Sequence, residues 1–476
     1  MPFVILPTNS ASGGYEITNS LRFNSGSSDK LTRTTGTPTS QQKFTWSAWC
    51  KRTNLGTYNI IQGFYTDANN YLLVAFSSSD KIDIINYPNS TTARKITTQV
   101  FRDPSAWYHI LVAVDTTLAT GTDRIKLYVN GTQVTAFNTD TAPSQNANLL
   151  TNATTTAIGV GEGGSIGYYN GYISEIYSID GQALTPSSFG ETDEDTGIWK
   201  PKAYTGTYGT NGFYLQFKNS ASLGTDSSGN GNTFTVNNLT SIDQTTDTPT
   251  NNFATWNPNL ATNSTMTLID GNTTGTTASN YAAGASNSYF STIGFDKGKW
   301  YAEFKLISAT VDQAQVVGVG YDLSKHQQGT NSNAYSLYDI SEGWGYIGAE
   351  GRVKNNGSNV LTGLSLWYTG DIVCVALDVD NYKLYFRKNG GSWENSGVPT
   401  SGATGTGAVS LTSNQTYFFS ISDVSLANTY TFSANFGNPA FTIASGNTDG
   451  AGFGNFEYDV PSGYYAPCTK NLATFG

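Results

Sequence analysis

The chain has 476 residues, enough for two or three cores at roughly 150 residues per domain. Its 38% hydrophobic and 13% aromatic content can fill those cores, while charge is held to 13% and the polar surface falls to Thr, Ser, Asn and 51 glycines, the composition of short strands joined by tight turns. A net charge of -10 excludes a nucleic-acid surface, which needs clustered Lys and Arg, and three cysteines with no Cys-x-x-Cys spacing exclude a zinc site and a disulfide framework.

The first residues, "MPFVILPTNSASGG", hold a four-residue apolar run without a basic flank. A secretory signal needs a longer run and a membrane span about 20 residues, so the expectation is a protein made in a cytoplasm with no membrane insertion. Residues 1–19 form an arm that serves either as an assembly handle or as an edge strand completing the first sandwich. From 20 to 190 strand grammar is continuous. In "FTWSAWCK", Phe44, Trp46, Ala48 and Cys50 point one way, Thr45, Ser47 and Lys51 the other, and Trp49 covers the second face. "WYHILVAVD" is apolar on both faces, as a central strand is, and "RIKLYVNGTQV" alternates up to an Asn-Gly turn. Cys50 and Cys374, in such runs, are expected to be buried free thiols.

Between 191 and 275 the text turns to Asp, Thr, Ser, Asn, Gly and Pro, and only "GFYLQF" reads as a strand. This is a connector with some structure of its own, since Phe213, Leu215 and Phe217 would otherwise form an exposed apolar row. From 276 to 476 strands resume with "GKWYAEFKLI", "GWGYIGAEG" and "DIVCVALDVD". The fold class is therefore all-β: two antiparallel jelly-roll sandwiches joined by a Gly/Asn/Thr-rich connector. The run "CVALDVDNYKLYFRKNGGSW" has an upstream counterpart in "VAVDTTLATGTDRIKLYVNGTQV", and their unequal spacers read as one hairpin device used in two related sandwiches.

Residues 20–190 resemble a laminin-G or concanavalin-A-like lectin/glucanase domain, through "FTWSAWCKRT", "WYHILVAVD", "IKLYVNGTQV" and "GYISEIYSIDGQALTPSSF". The second half resembles a SPRY domain, through "GKWYAEFKL", "GWGYIG", "DIVCVALDVDNYKLYFRKNG", "SANFGNPAF" and "PSGYYAPCTKNL". The connector text, "FGETDEDTGIWKPKAYTGTYGTNGFYLQF" with "DSSGNGNTFTVNNL" and "DTPTNNFATWNP", is similar to text between such domains in structural proteins of tailed marine bacteriophages. The resemblances imply a virion surface or tail-fibre protein, made in the host cytoplasm and oligomeric. They imply as partners other virion subunits and a host surface glycan or protein, with adhesion as its work. A purely structural decoration protein and an envelope-degrading glucanase are the alternatives.

Glucanases on this jelly roll pair two carboxylates about 5 Å apart on alternate strand positions. The nearest match, Glu191, Asp193 and Asp195 in "GETDEDTG", has no interleaved apolar residue and reads as a solvated loop, so no catalytic residue is assigned. A Ser-His-Asp triad would need His109, on a strand, or His326, in a loop, and no nucleophile elbow accompanies either. "TDSSGNGNT" sets Asp226, Asn230 and Asn232 either as calcium ligands or as an Asx-type turn; without a bidentate Glu no metal or cofactor is assigned. Sugar recognition needs ring faces beside amides and hydroxyls. The loop aromatics without an evident core duty are Tyr335, Tyr338 and Trp393, which become the candidate ligand-binding residues, and the loops at one end of SPRY domains in general bind partners.

Overall fold

The computed structural model describes residues 14–260, 266–277, 288–312, 315–326, 336–423 and 428–476. The described chain forms two compact units that divide between Asn251 and Asn252. Each is a sandwich of two antiparallel sheets, and none of the described helices is long and apolar enough to cross a membrane.

In the first unit, sheet A runs laterally as Thr132–Gln133, Ile125–Val129, Tyr108–Asp115, Lys43–Arg52, Gly171–Asp180, Ser20–Phe23 and Gln244–Thr245, with Phe213–Leu215 also paired to Gly171–Asp180. Sheet B runs Phe137–Thr141, Ala93–Thr97, Ile82–Pro88, Asn70–Phe76, Asn59–Asp67, Thr155–Ile158, Lys30–Thr34 and Thr235–Asn237. The two-residue period decides what lies between them. Phe44, Trp46, Ala48 and Cys50 join Ile110, Val112 and Val114 from sheet A, and Leu72, Val74 and Ile84 from sheet B, in one core.

The connector is not a separate segment. Phe213–Leu215 and Gln244–Thr245 extend sheet A, Thr235–Asn237 extends sheet B, and Phe213, Leu215, Phe217, Leu223, Phe234 and Leu239 enter the core between them. Residues 191–251 thus complete the first sandwich. Residues 252–260 and 266–275 belong to the second, where Trp256 is buried between Phe304 and Phe436 with ring centroids 5.7 and 5.3 Å away. Of the arm, residues 1–13 lie outside the described part. Tyr15 and Ile17 pack on the outer face of sheet A with Trp49, Trp107 and Tyr172, and pairing begins only at Ser20.

In the second unit one sheet runs Thr267–Ile269, Thr274–Thr276, Tyr430–Asn435, Lys299–Ala309, Ile372–Asp378, Lys383–Lys388 and Val409–Ser410. The facing sheet runs Ser288–Phe290, Phe418–Asp423, Gln315–Gly320, Gly343–Ile347, Arg352–Asn355 and Ser358–Thr362. Ile372–Asp378 pairs with Lys383–Lys388 as Tyr108–Asp115 pairs with Ile125–Val129, the same hairpin device in both sandwiches. All three cysteines are buried free thiols.

Candidate functional site

The two outer faces of the first sandwich differ. Over sheet A the chain covers its own strands: Phe189, Tyr204, Tyr208 and Tyr214 pack on Leu111, Ala113 and Tyr177. Beneath this cover Glu175, at φ 51° in a bulge of its strand, accepts hydrogen bonds from the hydroxyls of Tyr15 (3.0 Å), Tyr177 (2.7 Å) and Tyr214 (2.5 Å). Burial pushes its pKa up, against those bonds. Glu175 thus fastens the cover through three tyrosine hydroxyls.

The outer face of sheet B carries a row of aromatic rings. Thr34, Thr155, Tyr65, Tyr71 and Tyr87 are successive cross-strand partners on five adjacent strands and therefore share one face. At the usual strand spacing the row spans roughly 19 Å. Tyr71 and Tyr87 stack with centroids 5.0 Å apart and planes 12° apart, and both are half-buried. Tyr65 is covered: Gly164 crosses so close that a Cβ there would meet Tyr65 Oη at 2.6 Å. Lys30 holds that crossing by donating to the Gly164 carbonyl at 2.8 Å, with its ammonium 5.6 Å from the Tyr168 ring. Beside the row Arg94 grips Asp83 through Nε–Oδ1 at 3.1 Å and Nη2–Oδ2 at 2.7 Å, the Asp83 side chain being wholly buried. The charge on this part of the face is thus internally paired.

At the same end of the sandwich, the chain beyond Thr34 borders a hollow of about 540 Å³ lined by residues 35–42, Asn148 and Asn152, all of them neutral. The face therefore offers stacked rings and hydroxyls, with the Asp67 carboxylate exposed in the turn between Tyr65 and Tyr71, and the hollow adds neutral hydroxyls and amides. The core between the sheets offers no room. The cavity where Gln62 and Trp46 meet measures about 10 Å³, the size of one water.

The residues singled out by sequence are distributed differently. Tyr335 lies outside the described residues. Tyr338, in a turn, is 8% exposed and packed with Val316 and Ile347 under the Lys354 ammonium, 5.0 Å from its ring, so most of that ring is covered. Trp393 is half-buried over the other sheet of the second sandwich, with the Arg387 guanidinium 4.7 Å from its ring and Tyr385 edge-on at 6.4 Å. It has a packing duty after all, and the two rings occupy opposite outer faces.

Of the catalytic candidates, Asp193, His109 and His326 are held in structural contacts, while Glu191 and Asp195 are exposed. Asp193 accepts from the Thr196 hydroxyl and amide and from Lys200, bonds that hold its pKa down to about 2 inside a turn. At His109, Trp199 Nε1 donates to Nδ1 at 3.1 Å, and Nε2 faces Ser47 Oγ at 2.8 Å. An indole N–H only donates, so Nδ1 is the acceptor and the proton of the neutral ring sits on Nε2. His109 therefore cannot take the Ser47 proton, and burial pushes its pKa down to about 3. His326 is buried against Phe290, with its pKa lowered to about 4 by burial. Asp226 is saturated by the amides of Tyr214, Ser228 and Asn232 and the Ser228 hydroxyl, while Asn230 and Asn232 donate to carbonyls of residues 209–212. The segment is a hydrogen-bonded clasp.

The tyrosine row is hidden in the sequence because its members sit in strand text, where an aromatic residue reads as core. The available signal is symmetry. Tyr65 and Tyr71 flank the hairpin turn at 67–70, and Tyr71 and Tyr87 are equidistant from Ser79, which places all three in register.

Residues 25–189 match the family model described as the concanavalin A-like lectin/glucanases superfamily, and residues 299–421 match the SPRY domain model. The chain thus carries a laminin-G-type concanavalin A-like domain followed by a SPRY domain. Among solved structures, the SPRY domain of human HERC1 is similar at 16% identity and a TM-score of 0.27, over 38% of this chain and 96% of that one. No curated protein matches.

Proposed function

We propose that the chain is a non-catalytic binding protein of a tailed-phage virion surface, and that the open face of sheet B engages a host-surface glycan. The observation that carries this reading is the half-exposed Tyr71–Tyr87 pair, in register with Thr155 and Thr34 and beside the Arg94–Asp83 ion pair, with a neutral hollow at the Thr34 end of the row. The pair differs from the ring-face arrangement expected from sequence: each tyrosine covers one face of the other, and the phenol and threonine hydroxyls of the row supply hydrogen-bonding groups for a polyhydroxyl ligand. The virion setting rests on the resemblance of the domain order and connector text. The non-catalytic reading is supported by the structural engagement of Asp193, Glu175 and His109.

The test is to incubate the purified chain with host envelope polysaccharides and measure both retention and released reducing ends. Retention without release is expected. Release of reducing ends that falls in Glu191→Gln would establish the glucanase alternative instead. The decoration reading is favoured by Ile307, Val311, Leu366 and Tyr368, each 38–44% exposed in the second sandwich. Under it, particles lacking the chain lose stability and the chain retains no glycan.

A further inference from the structure

The most enclosed ion pair of the first unit joins Lys51, on the central strand Lys43–Arg52, to Asp247, just past Gln244–Thr245. Lys51 Nζ stands 2.8 Å from Asp247 Oδ2, and both side chains are 0% exposed. The second carboxylate oxygen accepts from Trp107 Nε1 at 3.0 Å, and the Tyr172 ring lies 5.3 Å from the ammonium. The Asp247 backbone is fixed as well, its carbonyl accepting from Ser20 Oγ at 2.6 Å. Other lysine–aspartate pairs keep one side in contact with water: Asp140 is 31% exposed beside Lys95, and Lys299 is 24% exposed beside Asp378.

We infer that Lys51 and Asp247 are a site of spontaneous cross-linking, in which the amine and the carboxyl condense to an intramolecular amide. A proton passes from Nζ to the carboxylate along the hydrogen bond already present, leaving a neutral amine and a carboxylic acid. The nitrogen lone pair attacks Cγ, and the Trp107 N–H donates to the oxygen on which negative charge develops. The C–O bond to the protonated oxygen then breaks, and that oxygen departs as water with the second proton from nitrogen. One N–C bond forms, one water leaves, and no oxidant or co-reactant is needed. Two conditions favour the step. The reacting groups are held at contact distance, which replaces an encounter in solution by an intramolecular reaction. The product also removes two charges from a site where each is costly to keep desolvated. The bond would tie the completing segment, residues 191–251, to the middle of sheet A and close a loop of 196 residues.

The experiment is the intact mass of the folded full chain, measured under denaturing conditions, followed by peptide mapping. The expected mass is one water below that of the sequence, with a branched peptide carrying Lys51 and Asp247. Asp247→Asn is expected to reach the same amide by losing ammonia, and Lys51→Met to show its own full sequence mass. The wild-type mass decides even if a variant fails to fold. The unreduced sequence mass in fresh and aged protein, or a water loss mapped to other residues, overturns the inference.

Discussion

Removing residues 191–251 is predicted to unfold the first sandwich, although the concanavalin A-like match ends at residue 189. The segment supplies six core side chains: Phe213 and Leu215 at 0% exposure, Phe217, Leu223 and Phe234 at 3%, and Leu239 at 7%. At about 1.5–3 kcal/mol for each buried side chain, their loss withdraws on the order of 9–18 kcal/mol. A domain of this size has a net stability of about 5–15 kcal/mol, so the loss is of the order of the whole and the remainder is expected to unfold. The assay is urea unfolding, followed by circular dichroism and tryptophan fluorescence, of residues 14–251 beside residues 14–190. The longer piece should unfold cooperatively and the shorter should show no transition. Within the longer piece, Leu215→Ala should cost about 2–5 kcal/mol. A cooperative transition of equal midpoint in residues 14–190 would refute the reasoning.

Two further expectations concern groups that sequence alone left open. The folded pKa of His109, about 3, lies below the ordinary value of 6.5, so between those pH values the unfolded state binds more protons. Stability should be unaffected by this group above about pH 6.5 and fall on acidification by at most about 1.4 kcal/mol per pH unit. The difference from His109→Gln isolates its share from that of His326, and an NMR titration at pH 5 should find the His109 ring neutral with its proton on Nε2. For Asp226, substitution by Ala strands three backbone amides and should cost about 1–3 kcal/mol, while calcium should leave the wild-type melting temperature unmoved. A calcium-dependent melting temperature would replace the clasp by a metal site.

The strands that carry the sandwiches were legible because each is long enough for its period to show. The split of Phe44, Trp46, Ala48 and Cys50 from Thr45, Ser47 and Lys51 is the one that builds the core. The connector was legible only in part: "GFYLQF" reads as a strand, and Phe213, Leu215 and Phe217 are covered, but Thr235–Asn237 and Gln244–Thr245 are too short to show a repeated alternation and pair with strands near the start of the unit. No local pattern encodes such a partner. The candidate site failed for a related reason. A tyrosine in a strand reads as core until the register says which face it occupies. Tyr71 faces outward only because Leu72 and Val74 face in. The contact of Trp393 was likewise not legible, since the Arg387 guanidinium that receives its ring lies on the neighbouring strand Lys383–Lys388 and is visible only in three dimensions.

The most direct measurement is a binding titration of a retained neutral host glycan against the wild-type chain, Tyr71→Ala, Tyr87→Ala and Trp393→Ala, with melting temperatures recorded alongside. The account predicts that each tyrosine variant weakens binding roughly three- to tenfold, the energy of one ring contact, while Trp393→Ala binds as wild type. Unchanged affinity in both tyrosine variants, with loss confined to Trp393→Ala, would contradict it.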